Sequence, residues 1–165
     1  MDTLVAVLMA SDPLTVGPEV LVRDAVRIVI DRGISHLLVT ERDDLVGLVC
    51  VCDLDQASTG ASVGECMSRE PITVDPQTRA TEAARIMLER KVGCLPVLAG
   101  DRLAGVLTLG DLRRAGVIDL PVERCIACGS KDHVRCERSG RSVGYCLECT
   151  RRSEPPGPND DLGGG

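Results

Sequence analysis

The sequence predicts a mixed α/β (α+β) fold made of two packed copies of one βαββα unit, and three observations predict it. An ungapped shift of 58 superposes residues 9–54 on 67–112 with 16 identities in 46 positions, where about three are expected by chance. Each copy alternates short β-prone runs with a helical apolar stripe. The composition, 44% hydrophobic and 27% charged over 165 residues, supplies one good core plus a small appendage.

The elements follow in order. Each copy opens on a short apolar helix and continues with a β-prone triplet after a proline, Leu14-Thr15-Val16 and Ile72-Thr73-Val74, as strands often begin. Val22, Ala25, Val26 and Val29 lie at i, i+3, i+4 and i+7, and Ala80, Ala83, Ala84 and Met87 repeat the stripe, which predicts an amphipathic helix in each copy. Leu37-Leu38-Val39 and Leu95-Pro96-Val97 are each separated by polar turn residues from a second run, Leu45 to Val51 and Leu103 to Leu109. Two strands joined by a turn are expected there, leading into a last helix. A stretch rich in Ser, Gly and Ala, residues 55–65, reads as the link between copies. The division expected is a first repeat over 1–58, a second over 59–118, a cysteine-rich unit over 119–152 and a disordered tail over 153–165, rich in proline and glycine.

Composition excludes several classes of function. Tyr145 is the sole aromatic residue, so the stacking platforms of RNA-recognition and single-strand-binding modules are missing. A net charge of -6 disfavours a surface given over to polyanions, whose binding is carried by clustered Lys and Arg. The apolar run from Leu4 to Ala10 is too short and wrongly flanked for a signal peptide, and no run reaches the 18 or so apolar residues of a membrane span. A cytoplasmic location is the expectation, and in such a reducing compartment clustered cysteines point to metal more than to disulfides.

The end of the last strand in the second copy carries Gly105-Val106-Leu107-Thr108-Leu109-Gly110-Asp111: glycine, two apolar residues, a hydroxyl residue, two variable residues and an acid. The first copy reads Gly47-Leu48-Val49-Cys50-Val51-Cys52-Asp53, with a thiol where the hydroxyl stands. With these motifs the duplicated region, about residues 3–116, resembles the tandem CBS-domain pair, or Bateman module. The resemblance implies a sensor, not an enzyme, that binds AMP, ADP, ATP or S-adenosylmethionine in clefts between the repeats, and a disc-like homodimer. It implies that Asp111 holds ribose, that Thr108 holds a phosphate or ribose oxygen, and that Ile72, Thr73, Val74, Cys94 and Pro96 line the base. A carboxylate suits vicinal ribose hydroxyls and a helix start suits phosphate, the division of labour in dinucleotide sites. The first cleft is the weaker, because a thiol is a poor hydrogen-bond partner. Asp53 must then orient a ribose with His36 as its aid, while Cys94 replaces that histidine in the second copy. The competing interpretation of the motif is structural, with Thr108 capping the helix.

Beyond Gly116, Cys125-x2-Cys128-x17-Cys146-x2-Cys149 has the spacing of two knuckles that hold one structural zinc with four thiolates. The region resembles a zinc ribbon, and so short a segment draws its folding free energy from the metal. Four thiolates leave no open position for a catalytic water. His133 and Cys136 are taken as bystanders, and two disulfides or a redox switch are the alternatives. Counting the basic and acidic residues of 125–152 with the metal leaves about +1, too little to demand a phosphate backbone, although Arg135, Arg138 and Arg141 keep a nucleic-acid-binding regulator as the main rival. A redox or zinc sensor is the second. Gly60-Ala61-Ser62-Val63-Gly64 matches a hydrolase nucleophile string but lacks the strand before it. Cys50, Cys52, Cys66 and Cys94 read as small core residues.

Overall fold

A computed structural model describes residues 2–58 and 60–119. The first half runs α1 (Val5–Leu8), β1 (Thr15–Val16), α2 (Val22–Arg32), β2 (His36–Glu41), β3 (Asp44–Cys50) and α3 (Val51–Gln56). The second runs α4 (Val63–Cys66), β4 (Ser68–Arg69), α5 (Ala80–Arg90), β5 (Cys94–Ala99), β6 (Arg102–Thr108) and α6 (Leu109–Arg114). The α+β order expected from the sequence is present in the first half; in the second, the strand ahead of the long helix is Ser68–Arg69 and not the expected triplet 72–74.

The repeat of 58 is written into the hydrogen bonds. Leu37 pairs with Val49 in β2–β3, and Leu95 with Leu107 in β5–β6; both antiparallel ladders slip register at the same place, between Val39 and Thr40 and between Val97 and Leu98. The predicted stripes are inward: Val22, Ala25 and Val29 are buried on α2, with Val26 packed beside them, and Ala80, Ala83, Ala84 and Met87 are buried on α5. One triplet differs from expectation. Thr15–Val16 pairs in parallel with β2, but of Ile72-Thr73-Val74 only Val74 makes a bridge, to Val97, because Ile72 and Thr73 stand exposed off the sheet edge.

The repeats exchange their leading segments. β4, at the start of the second repeat, completes the first repeat's sheet in the order β1-β2-β3-β4, with Leu48 opposite Ser68. Reciprocally, Ala10 pairs with Val106 of β6, its N–H and carbonyl both bonded at 2.9 and 3.0 Å. Val63 is fully buried in the core of Val16, Val29 and Leu37, while Val5 is fully buried in that of Met87, Leu95 and Leu107. The segment 55–65 therefore does more than link. Val63 N–H donates to Val20 carbonyl (2.8 Å) and Val22 N–H to Ala61 carbonyl (2.9 Å), tying residues 61–66 to the first repeat, since an apolar α4 must bury its valine somewhere. Ser62 of the nucleophile-like string caps α4, its hydroxyl and N–H bonded to Glu65.

Glycine decides how closely the exchanged segments approach. A Cβ on Gly105 would sit 2.5 Å from the Ala10 carbonyl oxygen, and one on Gly47 would meet the Met67 thioether and lie 3.1 Å from the Ser68 carbonyl. These are the two motif glycines, so the motif's first residue is a packing requirement of the exchange. The cysteines Cys125, Cys128, Cys146 and Cys149, with His133 and Cys136, lie outside the described residues.

Candidate functional site

Each motif folds into a capping box because its fourth residue ends a strand and its seventh falls at the third position of the helix that follows. In the second copy, Thr108 Oγ1 and N–H both donate to Asp111 Oδ2 (2.7 and 2.8 Å), and Asp111 N–H donates to Thr108 Oγ1 (3.3 Å). Arg114, one turn on, pairs with the other oxygen, Oδ1. The capping role weighed for Thr108 is therefore real, and Arg114, three-quarters exposed, shares Oδ1, the oxygen that the box does not use.

The thiol in the first copy makes the same box. Cys50 N–H and Sγ–H donate to Asp53 Oδ2 (3.2 and 3.0 Å), and Asp53 N–H donates to Cys50 Sγ at 3.4 Å. Sulfur's longer reach keeps the geometry at the cost of weaker bonds. Hydrogen bonding with Cys52 first, then burial, then Asp53, raise the Cys50 thiol. Burial and then Asp53 raise Cys66. Burial, reinforced by Asp111, pushes Cys94 up to about 12. Thiols raised in this way stay protonated and are poor nucleophiles.

The sheets gather the remaining site residues. In the second copy Cys94 faces Thr108 across the ladder and Pro96 faces Val106; Val74 N–H donates to the Pro96 carbonyl at 3.1 Å. Val74, Cys94, Pro96, Thr108 and Asp111 thus converge, whereas Ile72 and Thr73 are exposed at the rim. In the first copy His36 faces Cys50 across the ladder and so lies by Asp53. Its ring also reaches the other repeat, since a Cβ on Gly93 would lie 3.4 Å from Cε1 and 3.6 Å from Nε2. Burial pulls the imidazole down to about 4, against a smaller raising effect of Asp53, so His36 is neutral at pH 7.

A cavity of about 270 Å³ opens beside His36. Leu14, Ile34 and Leu38 form its apolar wall in the first repeat, and the Ala10–Val106 bridge closes it against the second. Leu14, His36 and Leu38 are the positions that the shift of 58 maps onto Ile72, Cys94 and Pro96. Asp12 and Arg32 stand at its polar side; neither was singled out in the sequence, although Arg32 repeats as Arg90 and Asp12 as the acidic Glu70. The repeat alignment held that signal. Among the described residues no group of three or more His, Cys, Asp or Glu is placed to hold a metal, and no helix is long and apolar enough to cross a membrane.

Comparison with known proteins places these features. The CBS-domain family model matches residues 5–60 and 63–118. The inosine-5′-monophosphate dehydrogenase of Korarchaeum cryptofilum is 38% identical over 103 residues, 61% of this chain, and the chain spans only 22% of that relative's length. The CBS domain pair of protein MJ0100, in complex with 5′-methylthioadenosine and S-adenosyl-L-methionine, superposes with a TM-score of 0.67 at 25% identity, covering 71% of this chain and 98% of the other. CBSX2 of Arabidopsis thaliana in complex with AMP gives a TM-score of 0.63 at 30% identity, covering 69% and 96%. With both family matches falling on the two halves of one duplicated, segment-exchanged α+β unit, the chain belongs to the CBS-domain family as a tandem pair.

Proposed function

We propose that the protein is a non-enzymatic regulatory sensor that binds an adenine nucleotide or adenosyl ligand (AMP, ADP, ATP or S-adenosylmethionine) in the clefts between its repeats. The observation that carries this is the cavity at the seam, whose wall uses Leu14, His36 and Leu38, the counterparts of the base-lining positions expected in the second copy. At about 270 Å³ it lies near the lower end of small-molecule pockets, which begin at about 300 Å³. The complexes of MJ0100 and CBSX2 with adenosyl ligands support the ligand class. Asp53 and Asp111 are the ribose-binding carboxylates in this proposal, with Ile72 and Thr73 closing over the base from the rim. A ligand that touches both repeats changes their relative angle to the extent that it binds one arrangement better than the other.

The rest of the proposal concerns the remainder of the chain: residues 119–152 as a zinc ribbon, one zinc per chain held by Cys125, Cys128, Cys146 and Cys149, docking a partner protein; 153–165 as a tail; and a cytoplasmic homodimer. Native mass spectrometry of the full chain purified under reducing, metal-replete conditions tests all of it at once. A dimer with one zinc per chain and an adenosyl mass is the expected spectrum, and a zinc-free chain overturns the ribbon. Calorimetric titration with AMP and with S-adenosylmethionine tests the ligand class. Binding that is lost in both Asp53→Ala and Asp111→Ala variants that retain the native circular dichroism supports the two carboxylates, and unchanged binding in both removes them.

A further inference from the structure

We propose, resting on the adenosyl reading above, that the first-repeat cavity selects an adenosyl ligand with a zwitterionic amino-acid tail, S-adenosylmethionine, over a 5′-phosphorylated one such as AMP. Asp12 and Arg32 line the same cavity and cancel in formal charge. His36, the third polar group there, is an uncharged donor and acceptor at neutral pH. A phosphate of charge near -2 would find one guanidinium opposed by one carboxylate. An amino-acid tail finds a partner for each end, its ammonium donating to Asp12 and its carboxylate accepting from Arg32, which are charge-assisted bonds. The aliphatic wall of Leu14, Ile34 and Leu38 suits the base and the methylene carbons, and the sulfonium gives S-adenosylmethionine a net charge of opposite sign to that of AMP.

The two copies also differ beside the motif carboxylate. Arg114 follows the second motif and pairs with Asp111, whereas the shift of 58 puts Gln56 in its place after the first motif. The first cleft therefore lacks the cation that the second keeps beside its ribose carboxylate.

The experiment is calorimetric titration of the full chain, wild type and the Asp12→Asn, Arg32→Gln and Glu70→Gln variants, with S-adenosylmethionine and with AMP. The expected result is tighter binding of S-adenosylmethionine by wild type. Asp12→Asn lowers the ratio of the two affinities about tenfold, as loss of one charge-assisted bond does, and tightens AMP by removing a repelling carboxylate. Arg32→Gln weakens both ligands. Glu70→Gln, the same position in the other copy, leaves the ratio unchanged. AMP binding as tightly as S-adenosylmethionine at a site that Arg32→Gln weakens, or a ratio that moves with Glu70 in place of Asp12, overturns the selectivity while leaving the adenosyl sensor standing. If neither ligand binds, the adenosyl reading itself falls.

Discussion

His36 shows how one residue carries both packing and chemistry. It bonds into β2 opposite Cys50, faces Gly93 of the other repeat and borders the cavity. In the sequence it stands before an apolar run as the aid expected for Asp53; the burial that holds it neutral comes from two strands and from residues more than 50 positions away. That burial has a pH consequence whose sign is fixed. The imidazole titrates near 4 when folded against an ordinary value of 6.5, so in acid the unfolded chain takes up a proton that the folded chain refuses. The stabilisation is complete above pH 6.5 and is lost as pH falls from 6.5 toward 4, by at most about 3 kcal/mol. Urea denaturation of wild type and His36→Asn between pH 7 and pH 4.5 measures it: the stability gap between the two changes across that window, and a constant gap refutes the assignment. The Cys50–Asp53 box carries the companion lesson. Sequence flagged the thiol as a departure, and the structure shows it capping α3 at 3.4 Å where Thr108 caps α6 at 3.3 Å.

At the scale of elements, the stripes of α2 and α5 and the paired strand runs were legible because period alone sorts a buried face from a wet one. Helix ends were less so. α2 stops at Gly33 in the left-handed region (φ 63°), whereas α5 stops at Lys91 in the same region (φ 55°), where a Cβ costs about 1–2 kcal/mol. Lys91→Gly is expected to stabilise the protein by about 0.5–1 kcal/mol, after allowing for the greater freedom of glycine in the unfolded chain. Thermal unfolding of the variant reads this directly, and a lowered midpoint contradicts it. The exposed Ile72-Thr73 pair marks the opposite case. The triplet has the β propensity of its counterpart, but propensity does not supply a neighbouring strand, and only Val74 finds one.

The whole molecule is held together by the exchange of leading segments, so neither repeat has a complete core without the other. Val5 belongs to the second core and Val63 to the first. Gly105→Ala is expected to destabilise the protein by about 1–3 kcal/mol, because the new methyl meets the Ala10 backbone carbonyl, which cannot step aside as a side chain can. Gly47→Ala should cost less, since the closest atom it meets belongs to the flexible end of Met67. Equilibrium denaturation of the pair gives the order, and a larger loss for Gly47→Ala would show that the seam yields differently from this account. The same exchange places Val106 of the second repeat at the wall of the first repeat's cavity.

By itself the sequence determined the duplication, the α+β class, the two stripes, the motif ends and the family they resemble, because each is a local pattern or a self-comparison within the chain. Tertiary structure alone decided which repeat receives residues 2–10 and 60–69, that Asp12 and Arg32 share a cavity with His36, and that Arg114 covers Asp111. Those facts depend on where distant segments meet, and the relative placement of two similar units is set by packing between them, which no periodicity in one segment encodes.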